Sequence, residues 1–145
     1  MKISIVNKSG FGLPSYARLG DSGMDLKAVL SEKVVLGPFE RILVKTGIFL
    51  DIPEGYEVQI RSRSGEALKK GLVVLNSPGT IDSSYTGEVG CIMYNSTPAE
   101  VEIEPGERVA QMVLCKVEKV ELIEVDIITK RTDRGDSGYG DSGKF

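Results

Sequence analysis

A carboxylate and an aromatic ring, Asp82 and Tyr85, stand three residues apart in the stretch Asn76-Ser77-Pro78-Gly79-Thr80-Ile81-Asp82-Ser83-Ser84-Tyr85-Thr86-Gly87-Glu88. Pro78-Gly79 sets a turn, Thr80-Ile81 is a short apolar extension, and Tyr85-Thr86-Gly87 turns the chain back before the strand-like run Glu88 to Tyr94. The spacing predicts a tight hairpin with Asp82 at a loop tip, where a general base and a platform for a sugar ring can be carried together. An Asp in a Ser-rich turn also makes Asx-turns, so this segment alone leaves Asp82 as either a turn former or a reacting group.

Four other clusters have donors and acceptors at useful spacing. Asp21-Ser22-Gly23-Met24-Asp25-Leu26 sets two carboxylates around a Gly turn. A Mg²⁺ ion is often held by one carboxylate through retained waters, although Asp and Gly flanking a strand are also ordinary turn chemistry. In Arg61-Ser62-Arg63-Ser64-Gly65-Glu66-Ala67 the Arg63 guanidinium, the Ser64 hydroxyl and backbone N–H groups could converge on an anion; a capped helix with exposed arginines is the plainer reading. Gln111 interrupts the apolar run Val109 to Leu114, so its amide either bridges to backbone or meets a ligand. The glycine-rich end carries Arg134 and Tyr139, spaced for one to reach a phosphate and the other to cover a flat ring, unless this is simply a frayed end. Arg134-Gly135-Asp136 also spells an adhesion tripeptide, a pattern frequent by chance.

To position such groups the chain must fold into strands. Apolar residues alternate with period two, and Gly or Pro interrupts them at Gly37-Pro38, Pro53-Glu54-Gly55, Pro78-Gly79 and Pro105-Gly106. Tyr56 to Arg61 and Val101 to Glu104 alternate apolar and polar, whereas Arg41 to Val44 and Val109 to Leu114 read as strands buried on both faces. One short helix is expected at Gly65 to Lys70, with Ser64 capping it. The class is all-β, with a jelly-roll-like barrel or sandwich as the architecture. Residues 1–131 form one domain, and 132–145 a mobile glycine-rich tail, frayed or lid-like, with no hydrophobic face.

Composition excludes much. With no histidine, Ser-His-Asp, Cys-His and His-metal chemistries are ruled out, and acid–base work falls to carboxylates, Lys or Tyr. Cys91 and Cys115 lie in apolar runs without Cys-x-x-Cys spacing, which predicts buried free thiols in a reducing compartment. A net charge of −3 argues against a general nucleic-acid binder. No apolar run is long enough for a signal peptide or membrane span, so a soluble cytoplasmic protein is expected.

Taken in order, these clusters resemble the five motifs of the trimeric deoxyuridine triphosphatase (dUTPase) family. The match runs through Asp21 to Ala28, Arg63-Ser64-Gly65 with Lys70-Gly71, Gly79 to Gly87 preceded by Asn76, Gly106 to Gln111, and Arg134 to Gly143. Three departures leave the chemistry in place: Ser62 where Pro is common, Ser137 where Gly is usual, and Tyr139 where Phe is common. The resemblance implies hydrolysis of dUTP to dUMP and pyrophosphate in a homotrimer whose sites lie between subunits. It implies Asp82 as the base that activates water, and Asp25 as holder of the waters of a Mg²⁺ cofactor. Arg63, Ser64, Gly65 and Gln111 would contact phosphates, with Arg134 on the γ-phosphate. Asn76 and Gly79 would read uracil, Tyr85 would pack under deoxyribose, and Tyr139 and Ser142 would contribute from the tail. The related dCTP deaminases have a catalytic Glu where this chain has Ile92, which argues against deamination. A regulatory binding protein would have no need of Asp25, Asp82, Gln111 and Arg134 together.

Overall fold

The computed structural model describes residues 1–138. In chain order the elements are β1 (Ser4–Asn7), β2 (Met24–Lys27), β3 (Val34–Leu36), β4 (Arg41–Asp51), β5 (Tyr56–Ser62), α1 (Ser64–Lys70), β6 (Leu72–Val74), β7 (Gly79–Ile81), β8 (Glu88–Asn95), β9 (Val101–Ile103) and β10 (Arg108–Lys116). One four-stranded sheet runs β1-β4-β8-β6, a second runs β2-β10-β5-β7, and β3 pairs with β9. Every pairing is antiparallel. This is the expected all-β jelly-roll-like arrangement with one short helix.

Period-two alternation decides what faces inward. Val58 and Ile60 of β5, Val101 and Ile103 of β9 and Met112 of β10 are buried, and they join Leu26, Val44, Leu72, Val89 and Met93 in one core. The expectation that Arg41 to Val44 is buried on both faces is corrected here. Val44 is buried, but Leu43 is 61 % exposed, because a sandwich covers only one face of β4. Asn95 is fully buried yet satisfied: its Nδ2 donates to the carbonyls of Gly37 and Ala99, and its Oδ1 accepts from the Thr97 N–H and hydroxyl.

Two turns depend on backbone of positive φ. In β4 the register shifts between Lys45 and Phe49, and Gly47 (φ 67°) packs so closely that a Cβ would lie 2.5 Å from the Ser9 nitrogen. Only glycine fits there. Phe39, by contrast, has φ 59° in the turn between β3 and β4 and is 56 % exposed. Phe39→Gly should relieve left-handed strain and raise stability by about 1 kcal/mol, read as a shift of the urea midpoint at unchanged slope.

The helix differs slightly from expectation. It starts at Ser64 rather than Gly65, and Arg63 occupies the N-cap with an extended backbone and no side-chain cap hydrogen bond. Ser64 is therefore the first helical residue rather than the cap, and the Arg63 side chain is free to turn elsewhere. Gly71 ends α1 in the left-handed conformation, its N–H reaching the carbonyls of Ala67 and Glu66.

Beyond Lys116 no strand or helix follows among the described residues. Val120, Leu122, Ile123, Ile127 and Ile128 stand exposed in this stretch. No helix among the described residues is long and apolar enough to cross a membrane. Both cysteines are free; Cys91 is buried, which pushes its thiol up to about 12, while Cys115 is half-buried rather than enclosed as expected.

Candidate active site

Strand order places three polar side chains in a row. Gln111 on β10 is the register partner of both Asp25 on β2 and Arg61 on β5, so all three share the outward face of the second sheet. They line a cleft of about 540 Å³ with Arg63, Ser64 and Gly65, where β5 passes into α1. Asp25, Arg63, Ser64, Gly65 and Gln111, distant in sequence, are thus brought together.

Arg63 grips Asp25 with both ends of its fork, Nε donating to Oδ1 at 2.8 Å and Nη2 to Oδ2 at 3.2 Å. Arg108 Nη1 donates to the same Oδ2 at 3.3 Å. Arg63 Nη1 also reaches the Arg108 carbonyl at 2.9 Å, tying the start of α1 to the start of β10. Such a half-buried bidentate pair holds its geometry better than an exposed ion pair. Behind it, Lys70 contacts Glu66 and Glu107. Burial opposes the charge on Lys70, but the hydrogen bond and charge of Glu107, with Glu66, outweigh it and raise its pKa above the usual lysine value.

Both options for Gln111 have content. Its Nε2 donates to the Ser62 carbonyl at 2.9 Å, so it does bridge to backbone. Its Oε1 lies where a side chain at Gly23 would sit, 2.2 Å from a Cβ built there. The glycine of the turn before β2 leaves room for that amide at the cleft.

The donor set also bears on a divalent cation. Asp25 has accepted three hydrogen bonds from Arg63 and Arg108; a carboxylate offers about four acceptor positions, so one remains for a bound water. No group of three or more His, Cys, Asp or Glu side chains able to hold a metal occurs among the described residues. These residues fit a Mg²⁺ that keeps its waters and takes its remaining ligands from a polyphosphate, not one caged by protein.

The segment does not close as the expected tight hairpin: β7 pairs with β5 in one sheet and β8 with β4 and β6 in the other, so residues 82–87 form a loop that crosses between the sheets. Asn76, Gly79, Asp82, Tyr85, Leu43 and Ile92, among others, line a second cleft there, of about 270 Å³. The Tyr85 N–H donates to the Asp82 carbonyl at 3.0 Å and closes the turn. The Tyr85 hydroxyl donates to the Glu88 carbonyl at 2.9 Å, and the ring lies over Gly87, where a Cβ would come within 2.6 Å of Cζ. Backbone on both sides thus holds the ring as a fixed, half-exposed plate. Gly79 is buried under the Asn76 amide, whose Nδ2 would be 2.9 Å from an added Cβ. No hydrogen bond reaches the exposed Asp82 carboxylate among the described residues, so it forms no Asx-turn there.

The two clefts share no lining residue. Arg134 lies in neither; its Nε donates to the Ser137 carbonyl at 2.8 Å in a turn closed by Gly135 N–H on Thr132. Tyr139 and Ser142 lie outside the described residues. Sequence reasoning gave no role to Arg61 and Arg18, which line the first cleft, or to Glu66 and Lys70 behind it, although Lys70 falls in a matched motif. Arg61 was findable from the alternation that puts it beside Gln59 on the polar face of β5. Nothing in local sequence marks Arg18.

Known proteins resemble this chain along its length. The family model described as dUTPase matches residues 10–143. A deoxyuridine 5'-triphosphate nucleotidohydrolase of Finegoldia magna is 47 % identical over 143 residues, covering 99 % of each chain. Among solved structures, the Staphylococcus bacteriophage 80alpha dUTPase with dUPNHPP has a TM-score of 0.88 at 29 % identity, covering 99 % of both chains. A mutant dUTPase of S. aureus phage phi11, whose structure describes the coordination of a structural Mg(II) ion, has a TM-score of 0.79 at 25 % identity, covering 90 % of this chain and all of its own. A β-sandwich with an arginine-bound carboxylate in one cleft, an open carboxylate beside a fixed aromatic plate in another, and relatives alike over nearly its whole length belongs to the dUTPase family.

Proposed function

We infer that this chain hydrolyses dUTP to dUMP and pyrophosphate, removing dUTP that would otherwise place uracil in DNA and supplying dUMP for thymidylate synthesis. The observation that carries the assignment of roles is the Asp82 carboxylate, which makes no hydrogen bond among the described residues and stands beside the plate of Tyr85. Asp82 orients a water toward the α-phosphorus and takes its proton. Tyr85 packs under deoxyribose and excludes a 2'-hydroxyl. Backbone around Asn76 and Gly79 reads the uracil edge and leaves no room for a 5-methyl group. Arg63, Ser64, Gly65 and Gln111 bind phosphate oxygens; since α1 has only seven residues, its dipole is small and the guanidinium supplies most of the attraction. Asp25 holds a water of Mg²⁺, and the metal, when bound with the nucleotide, supplies charge stabilisation for the departing pyrophosphate.

The working unit is a homotrimer with sites shared between subunits. Supporting this, the phosphate-side cleft and the Asp82 cleft share no residue. The stretch after Lys116 exposes Val120, Leu122, Ile123, Ile127 and Ile128, and an apolar groove of about 240 Å³ opens beside β1 and β2, lined by Ile3, Ile5, Met24, Met112 and Leu114. An arm of one copy lying in the groove of another removes both apolar surfaces from water. Residues 1–131 then form the body, and 132–145 the tail that closes over the site, carrying Arg134 to the γ-phosphate and adding Tyr139 and Ser142. The enzyme acts on free nucleotide in the cytoplasm, without nucleic acid or membrane.

Pyrophosphate release from a panel of nucleotides tests the assignment. With Mg²⁺, dUTP is expected to exceed dTTP, dCTP and UTP in kcat/KM by at least about a hundredfold, roughly 2.7 kcal/mol of differential transition-state binding. Comparable rates on dCTP or dTTP would sink it.

A further inference from the structure

Behind the phosphate-side cleft, charges alternate in sign through α1. Arg63 meets Asp25 on one side and Glu66 on the other; Glu66 stands between Arg63 and Lys70, and Lys70 reaches Glu107 in the turn before β10. Glu66 is the most enclosed of these side chains, at 16 % exposure, on a helix with no fully buried residue. Its Oε1 accepts from Arg63 Nη1 at 3.3 Å. Its Oε2 is buried without a hydrogen-bond partner among the described residues, 3.6 Å from the Lys70 ammonium. A buried carboxylate oxygen without a hydrogen bond costs the fold free energy.

What the carboxylate does is legible at Arg63. The guanidinium spends Nε and one Nη2 hydrogen on Asp25, and its two Nη1 hydrogens on the Arg108 carbonyl and Glu66. One Nη2 hydrogen is left for a ligand. Because the fork is planar and rigid, fixing the Nη1 edge fixes the direction of that remaining N–H. We propose that Glu66 is a positioning residue for substrate binding: anchored by Lys70 and, through it, Glu107, it holds the Nη1 edge of Arg63 so that the free Nη2–H is presented to the triphosphate. The proposal rests on the reading of Arg63 as a phosphate ligand.

Charge and position make opposite predictions, which gives the test its force. Removing a negative charge beside a polyanion site should by itself tighten binding, whereas releasing Arg63 should weaken it. Glu66→Met removes the acceptor and the charge; Glu66→Asp keeps the charge but draws the acceptor back by one methylene. Both are expected to raise the KM for dUTP about fivefold to tenfold, with kcat within about twofold, and to raise the Kd for imidodiphosphate by a like factor. The thermal midpoint of Glu66→Met is measured alongside to show that the variant folds; Arg63 and Lys70 each keep another carboxylate partner, Asp25 and Glu107. In an Arg63→Lys background, Glu66→Met should add nothing further. A KM that falls or stays level in Glu66→Met, or effects that simply add to those of Arg63→Lys, overturns the proposal; Glu66→Asp decides alone should Glu66→Met not fold. If Arg63→Lys itself leaves KM and imidodiphosphate binding unchanged, the reading of Arg63 as a phosphate ligand fails instead.

Discussion

Asp82→Asn is expected to lower kcat for dUTP by at least roughly a hundredfold while nucleotide affinity stays within about tenfold. The amide keeps the size of the side chain and can hold a water, but it cannot take that water's proton. The fold should be untouched, because the carboxylate is exposed and makes no hydrogen bond among the described residues, and the turn is closed by backbone from Tyr85 to the Asp82 carbonyl. Thermal midpoint, Kd for a non-hydrolysable dUTP analogue and single-turnover rate, measured on one preparation, separate these effects. A variant retaining most of its turnover would return Asp82 to the role of a turn residue.

The geometry around Asp82 also shows why some of this molecule can be read from sequence and some cannot. Asp82 and Tyr85 are close in the chain, and Pro78, Gly79 and Gly87 punctuate the segment, so a turn carrying both was legible from local chemistry; the hairpin expected around it was not formed, because β7 and β8 pair in different sheets, a choice made by long-range register. Strand faces were legible wherever one face meets solvent, as in β5 and β9. Leu43 misled because a continuous apolar run reads as doubly buried, and one sheet's surroundings are not written in its own sequence. Ser64 misled for a related reason: the preference of Ser for caps is real, but Arg63 is drawn to Asp25 across the sheet and takes the N-cap position. Long-range register is the recurring obstacle. That Gln111 would lie between Asp25 and Arg61 follows from β2-β10-β5 pairing, which no local pattern encodes. Charge partners such as Glu66 and Glu107 look like ordinary solvated acids until their distances to Arg63 and Lys70 are known.

Mixing two inactive proteins is expected to restore activity, and the amount restored reports how the site is divided. One protein carries Asp82→Asn with its tail intact; the other keeps Asp82 but ends before Thr132, so it retains the apolar arm after Lys116 and with it the means to assemble. Neither homotrimer has a complete site. In co-refolded mixed trimers of a closed three-fold assembly, a site taking Asp82 from one chain and its tail from another is complete in about one case in four, the product of two even chances. Equal amounts should therefore recover roughly a quarter of wild-type activity. The same truncation alone should leave the thermal midpoint nearly unchanged while cutting catalysis, because the tail contributes closure rather than core. A site that took both parts from a single chain could not be completed by any mixture, since each chain lacks one of them. Activity that stays at the background of the two parents after mixed trimers are shown to form, for example by a mass tag on one chain, would rule out a site that takes Asp82 and its tail from different subunits.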